Sequence, residues 1–455
     1  MNLRQKKILT FIIGVLGLFL WGVANQMIGP MSRVFSNLFD EGPELAVTFS
    51  YVICLSYVLM ALPAGILCRN LGYRSCLLCG LGLYAAGSFS FLPASQLGAE
   101  WLVMLAHIIM WCGISCIQVA TCACAITVGD RSLSAFRICM AMCCSSFGWF
   151  VGYHISSDMF HDGTLNLELT MASNGLDSTE DIFVEMARQR ALSTLTMPYV
   201  WVGLAATVLA VLLSVLELRE SRLAMLNSTV GVGMQTYRRN RPLGAVLVDL
   251  LHNRKYMFGL STQFLFTAGQ TMCWSTILSY GAEVLISNDG YSRVMAEREA
   301  QNYLMISMII FVSFRFVAAM LLRLSARLRA SRMLIGGAAA SALLVVLSIV
   351  TSNTVGIWCL VVTAACMSSM LPNIYYLTLE NLDHDTVKIG TSGLALAMLS
   401  SILVSLLNLT SEGSMVKQIF MVCIFAVIWF FAAYCLRDQD KKKNEYRPYR
   451  PRERK

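Results

Sequence analysis

The stretch PAGILCRNLGYR, residues 63–74, joins two long apolar runs through a short basic loop. Gly65 and Gly72 permit a tight turn and a close approach between helices, since glycine has no side chain to obstruct either. Arg69 and Arg74 suit the ends of helices, because the negative end of the helix dipole attracts cations. The stretch therefore predicts two apolar helices that are joined by a tight, positively charged loop.

The composition is that of an integral membrane protein: 56% of the 455 residues are hydrophobic and 14% are charged, and the mean hydropathy is +0.62. A helix needs about 20 apolar residues to cross a bilayer. Twelve such runs occur, so the sequence predicts an all-α membrane protein with twelve transmembrane helices. The predicted spans are 8–32, 46–68, 75–95, 99–128, 136–158, 194–217, 256–285, 300–323, 332–351, 355–379, 389–410 and 416–436.

The spacing of the spans predicts two six-helix halves, a pattern typical of secondary transporters. The boundaries are an N-terminal half at 1–217, a cytoplasmic linker at 218–255, a C-terminal half at 256–436 and a basic cytoplasmic tail at 437–455. Within the linker, PLGAVLVDLLHNRKY (242–256) favours either a helix on the membrane surface or a partly ordered loop.

The distribution of charge predicts the orientation. Placing both termini in the cytoplasm assigns most of the 35 Lys and Arg to that side, as the positive-inside rule requires. We expect a monomeric, multi-pass protein of the cell (inner) membrane whose basic loops contact anionic lipid headgroups. The net charge of +8 therefore needs no nucleic-acid partner.

The loop at 63–74 resembles the loop signature of the major facilitator superfamily, with Cys68 where that signature has an acidic residue. Further stretches resemble the L-fucose permease family of fucose, galactose and glucose proton symporters. These are LWGVAN (20–25), MPYVWVG (197–203), QFLFTAGQTMCWSTILSYGAE (263–283), FRF (314–316) and LPNIYYLTLENLDHDTVKIGTS (371–392). The resemblance implies a major facilitator fold and a secondary transporter that moves a monosaccharide, such as fucose or another hexose, by alternating access.

The sequence departs from that family where the resemblance implies two proton-carrying, sugar-binding carboxylates. Gly29 stands at the first position and Gln118 at the second. A glutamine donates and accepts hydrogen bonds but does not titrate. The sequence therefore predicts that transport is not coupled to protons through these two positions, and that the set of groups available to bind a sugar is altered.

Seven polar or aromatic side chains within the predicted spans are candidate substrate-binding residues, because polar groups in hydrocarbon face one another or a wet cavity. They are Asn25, Gln26, Gln118, Gln270, Trp274, Arg315 and Asn373. Interhelical hydrogen bonding is the alternative role for the amides. The permanent charge of Arg315 requires a partner, which the sequence leaves open as backbone carbonyls, an amide or an anionic substrate.

His107 and His154 are the candidates for proton coupling, because histidine titrates near neutral pH; packing is the alternative for both. The sequence therefore leaves three possibilities: uniport, coupling to a proton through His154, or an ion site that the residues do not reveal. Two other classes also stay open, namely a carrier of a non-sugar, anionic organic solute and a transport-inactive sensor or scaffold. No catalytic residue, cofactor or metal site is predicted, and hence no enzyme.

Overall fold

The computed structural model describes residues 3–38, 44–97, 100–161, 196–215, 241–324, 329–400, 402–404 and 413–445, and every regular element of these ranges is helical. The helices are α1 (Leu3–Leu38), α2 (Glu44–Asn70), α3 (Tyr73–Leu97), α4 (Glu100–Thr127), α5 (Ser134–His161), α6 (Thr196–Val215), α7 (Leu243–His252), α8 (Arg254–Asp289), α9 (Arg293–Leu324), α10 (Ala330–Thr351), α11 (Thr354–Met367), α12 (Met370–Leu379), α13 (His384–Ala395) and α14 (Ser414–Glu445).

Eleven stretches of the described helices are long and apolar enough to cross a membrane. The seventh predicted span, 256–285, corresponds to α8, a helix of 36 residues. α8 is not one of the eleven stretches, because its polar residues, among them Gln263, Thr267 and Gln270, lower its mean hydropathy. With α8 as the twelfth helix, the prediction of an all-α protein with twelve membrane-spanning helices is confirmed.

The helices form two compact units. The first contains Met1–Asn253 and Asn381–Ser411, and the second contains Arg254–Glu380 and Glu412–Lys455. The segment Asn381–Ser411 thus packs with the first unit, although the sequence assigns it to the C-terminal half. The division into two six-helix halves stays a prediction, and residues 218–240 of the linker and 446–455 of the tail lie outside the described residues.

Glycines bring the helices of the first unit into close contact. A methyl group at Gly22 of α1 would collide with the backbone of Ser145 in α5, and one at Gly148 of α5 would collide with the carbonyl of Phe19 in α1. Small residues at a membrane helix interface let the two backbones approach and gain dispersion energy. These glycines therefore fix α1 against α5.

The described part of the linker contains a helix. Residues Leu243–His252 form α7, which buries Val246 and Leu250. Arg241, which lies just before α7, forms an ion pair of 3.0 Å with Asp249 within the helix. The structure therefore has a helix in this stretch, and its position on the membrane surface stays a prediction.

The tenth span is interrupted in the second unit. Its hydrogen-bonded helices α11 and α12 are separated by Ser368 and Ser369. Both serines keep helical dihedrals, with φ −55° and ψ −37° at Ser368 and φ −93° and ψ −8° at Ser369. The chain direction is therefore preserved, but Pro372 has no N–H to donate to the Ser368 carbonyl four residues earlier.

Candidate substrate-binding residues

The two glycines of the loop signature have separate structural roles. Gly72 has a φ of +93°, a left-handed conformation that glycine adopts without strain and that ends α2. Gly65 lies where α13 approaches α2, since a Cβ there would be 2.7 Å from the Ser392 hydroxyl oxygen. The turn and the close helix contact that the sequence predicts are both present.

The two arginines of the signature bind neighbouring segments of the first unit. The Nε of Arg74 donates a hydrogen bond of 2.9 Å to the Thr10 hydroxyl on α1. The Nη2 of Arg69 donates to the backbone carbonyl of Arg241, just before α7. These contacts give the arginines a structural role at the ends of α1, α2 and α7.

Gln118 is buried in α4 and hydrogen-bonded to α2. Its exposed fraction is 2%, and the fully buried Tyr57 donates its hydroxyl to the Gln118 Oε1 at 2.6 Å. The ring of Trp111 lies 6.2 Å from that of Tyr57. Tyr57 is absent from the predicted site, although a tyrosine inside an apolar span is itself a signal, since its buried hydroxyl needs a partner.

The remaining predicted residues of the first unit lie on α1. Asn25 and Gln26 are half-buried there, and Gly29 follows within the same helix. α1 packs against α4 and α5, so it belongs to the same compact unit as Gln118. The structure therefore holds the predicted amides of the first unit on packed helices, and Gln118 is the most deeply buried of these three.

In the second unit, α8 and α12 pack together and carry buried amides. Asn373 has no exposed surface, and Gln270 is 4% exposed. Neither the Nδ2 nor the Oδ1 of Asn373, nor the Nε2 of Gln270, has a hydrogen-bond partner among the described residues. A buried polar atom without a partner costs about 1–3 kcal/mol, so each of these atoms calls for a polar group.

Arg315 is held by the interrupted tenth span. Its guanidinium Nε donates a hydrogen bond of 2.5 Å to the Ser368 carbonyl, the acceptor that Pro372 leaves without a helical donor. The guanidinium carbon also lies 4.3 Å from the centre of the Phe311 ring, a distance at which cation–π attraction is favourable. Of the partners that the sequence leaves open for Arg315, a backbone carbonyl is present.

Trp274 belongs to the same cluster. Its ring meets the Phe311 ring edge to face, with 5.6 Å between centroids, and the Trp274 side chain is half-buried. Its indole is a flat apolar surface of the kind that can stack against a sugar ring. The second unit thus brings together Gln270, Trp274, Arg315 and Asn373 on packed helices.

The two candidate histidines lie in different surroundings. His107 is fully buried on α4, with the rings of Phe49 and Phe91 at 4.9 and 4.8 Å and its Nδ1 at 3.2 Å from the Val103 carbonyl. It is 11 residues from Gln118, or roughly 16 Å along the helix. His154 is exposed on α5 and contacts the Phe150 ring at 4.6 Å.

These groups offer hydrogen bonding and stacking. Among the residues whose burial is described, the buried Lys, Arg and His side chains are Arg69, His107, Arg315 and Lys388, and no Asp or Glu is buried. No group of three His, Cys, Asp or Glu side chains in the described ranges is placed to hold a metal ion. Polar recognition in either unit therefore relies on amides, hydroxyls, aromatic faces and Arg315.

Comparison with known proteins agrees with this description. No family model matches the chain. The chain is 26% identical over 405 residues to the L-fucose-proton symporter of Haemophilus influenzae, covering 88% of each chain. It is 24% identical over 425 residues to the L-fucose-proton symporter of Escherichia coli, covering 91% of this chain and 90% of that one.

A solved structure matches over nearly the whole chain. The crystal structure of the major facilitator superfamily transporter FucP in the outward conformation aligns with a TM-score of 0.74 and 22% identity, over 94% of this chain and 99% of FucP. The chain therefore has the fold of a major facilitator superfamily transporter, a multi-pass membrane protein. More particularly, it is homologous to the L-fucose-proton symporters.

Proposed function

We propose that the chain is a sugar transporter, which moves a monosaccharide such as fucose or another hexose across the membrane by alternating access. Its relatives are named as L-fucose-proton symporters, which are transporters and not enzymes. Within this chain, the proposal rests on the amide side chain of Asn373. Both of its polar amide atoms are buried and without a hydrogen-bond partner among the described residues.

The chemistry of an amide suits a sugar. A sugar hydroxyl both donates and accepts, and the asparagine oxygen accepts while its nitrogen donates. Gln270 presents a further donor, the Nε2, and Trp274 presents an indole ring for the apolar face of the sugar. In the first unit, the hydrogen bond from Tyr57 to the Gln118 Oε1 orients that amide.

Uptake of labelled L-fucose, galactose, glucose and N-acetylglucosamine into proteoliposomes tests the proposal. We expect saturable uptake of at least one of these sugars. Asn373→Ala should weaken the apparent affinity for that sugar by about 5- to 100-fold, the equivalent of one or two hydrogen bonds. Asn302→Ala is the control, because Asn302 is an exposed amide that binds Glu299 at 3.2 Å. Uptake of no sugar, or equal effects of both changes, would contradict the proposal.

We also propose that transport is uniport, without proton coupling. Gln118, which Tyr57 holds by a hydrogen bond, cannot titrate. His107 is packed among aromatic rings, and His154 lies on the exposed surface of α5. A proton influx that accompanies the sugar would contradict uniport, and its persistence in His107→Ala/His154→Ala would also exclude coupling through either histidine.

The topology is the remaining part of the proposal. We infer a monomer in the inner membrane with both termini cytoplasmic, because most Lys and Arg then lie inside. Fusions of alkaline phosphatase and green fluorescent protein to the C-terminus test the orientation. Fluorescence of the second fusion and inactivity of the first are expected, and the opposite pair of results would contradict the topology.

A further inference from the structure

A groove of about 360 Å³ lies within the second unit, between the start of α10 and the end of α14. It is distant in sequence from the buried amides, and no step of sugar transport proposed above uses it. The residues that line it are Ile335, Ala433, Leu436, Arg437, Asp440 and Lys441. Its volume lies in the range of ligand-binding clefts.

The α14 wall of the groove changes from apolar to charged along the helix axis. Residues 433, 436, 437, 440 and 441 follow the three- and four-residue spacing of one helical face. Ala433 and Leu436 are half-buried at one end, and Arg437 and Lys441 are exposed at the other. The change takes place over eight residues, or about 12 Å.

The charged end of the groove has an excess of positive charge. Its carboxylate, on Asp440, is bound by the Arg329 Nη1 at 2.7 Å, so its charge is compensated. Arg437 and Lys441 form no ion pair with any other residue that the structure describes. Two cationic groups thus lie at one end of a groove whose other end is apolar.

We propose that this groove binds one anionic phospholipid. The phosphate lies between Arg437 and Lys441, and the first part of an acyl chain lies against Ile335, Ala433 and Leu436. The groove reproduces the order of polarity along a lipid molecule, whereas a soluble phosphate would contact only its cationic end. The positive-inside pattern assigns this end of α14 to the cytoplasmic leaflet, where anionic lipids attract juxtamembrane Lys and Arg.

Binding of phosphatidylglycerol with a fluorescent acyl chain to the full-length protein in neutral detergent tests the proposal. We expect the dissociation constant to rise about 30-fold in Arg437→Gln/Lys441→Gln, because each basic residue near an anionic lipid contributes a factor of about five. The conservative pair Arg437→Lys/Lys441→Arg should keep the affinity. Arg293→Gln/Arg298→Gln, which removes two exposed charges at the start of α9, is the matched control and should have no effect.

Two further experiments distinguish binding of a lipid from binding of a free phosphate. Ala433→Phe fills the apolar part of the groove, so it should weaken phosphatidylglycerol binding while leaving both cations in place. Glycerol 3-phosphate should not displace the lipid at equal concentration, and phosphatidylcholine with the same acyl chain should bind the native protein weakly. An unchanged dissociation constant in Arg437→Gln/Lys441→Gln, an equal loss in the control, or displacement by glycerol 3-phosphate would each overturn the proposal.

Discussion

The hydrogen bond from Arg315 to the Ser368 carbonyl takes the place of the backbone hydrogen bond that Pro372 cannot make. A double-mutant cycle can test whether one bond replaces the other. In Arg315→Met the carbonyl loses its 2.5 Å donor, which costs about 1–3 kcal/mol if nothing replaces it. In Pro372→Ala a backbone N–H returns at the position from which a helix donates to Ser368. The helical dihedrals of Ser368 and Ser369 place that N–H within reach of the carbonyl.

We therefore expect Pro372→Ala to stabilise the Arg315→Met protein by about 1–3 kcal/mol more than it stabilises the native protein. The general gain from removing a proline occurs in both backgrounds and cancels from the cycle. The free energy of unfolding, measured by denaturant titration in detergent micelles, gives the coupling. Pro63→Ala, at another proline inside a helix, is the control and should be additive with Arg315→Met. A coupling below about 0.5 kcal/mol between positions 315 and 372 would show that Arg315 does not replace the donor that Pro372 lacks.

Three other predictions concern the first unit. Tyr57→Phe removes the donor to Gln118 and should raise the half-saturation concentration for sugar uptake about fivefold or more, whereas Tyr51→Phe, at an exposed tyrosine, should leave it unchanged. Gly65→Leu should lower the unfolding temperature because α13 lies against Gly65, while Gly82→Leu should not, since nothing lies within 4 Å of a Cβ there; equal effects would refute this contact. Gln118→Glu should make uptake depend on pH, measured as initial rates between pH 5 and 8, and an unchanged pH profile would argue against Gln118 as a binding residue.

Most of the spans were predictable because a long helix of high hydropathy can cross a membrane. α8 shows the limit of this criterion, since its buried amides lower its hydropathy while the helix still runs for 36 residues. The end of α2 was equally predictable, because Gly72 permits the left-handed turn that the structure has. By contrast, the packing of Asn381–Ser411 with the first unit depends on contacts between distant segments, which no local pattern contains.

The sequence identified candidate site residues but not the hydrogen-bond partners of those residues. Gln118 and Arg315 stand out because they are polar within apolar runs. Their partners do not, since Tyr57 is separated from Gln118 by 61 residues and Ser368 from Arg315 by 53. The missing N–H of Pro372 was visible in the sequence, but only the packed helices show which side chain takes its place.

In the proposed mechanism, buried amides bind a sugar and carry it across the membrane, and no Asp or Glu is buried among the residues whose burial is described. Simultaneous measurement of labelled sugar uptake and internal pH in proteoliposomes tests both sugar transport and the absence of proton coupling. We expect saturable uptake of a hexose or fucose with no acidification of the interior. Uptake accompanied by acidification would contradict uniport, and no uptake of any of the four sugars would contradict sugar transport itself.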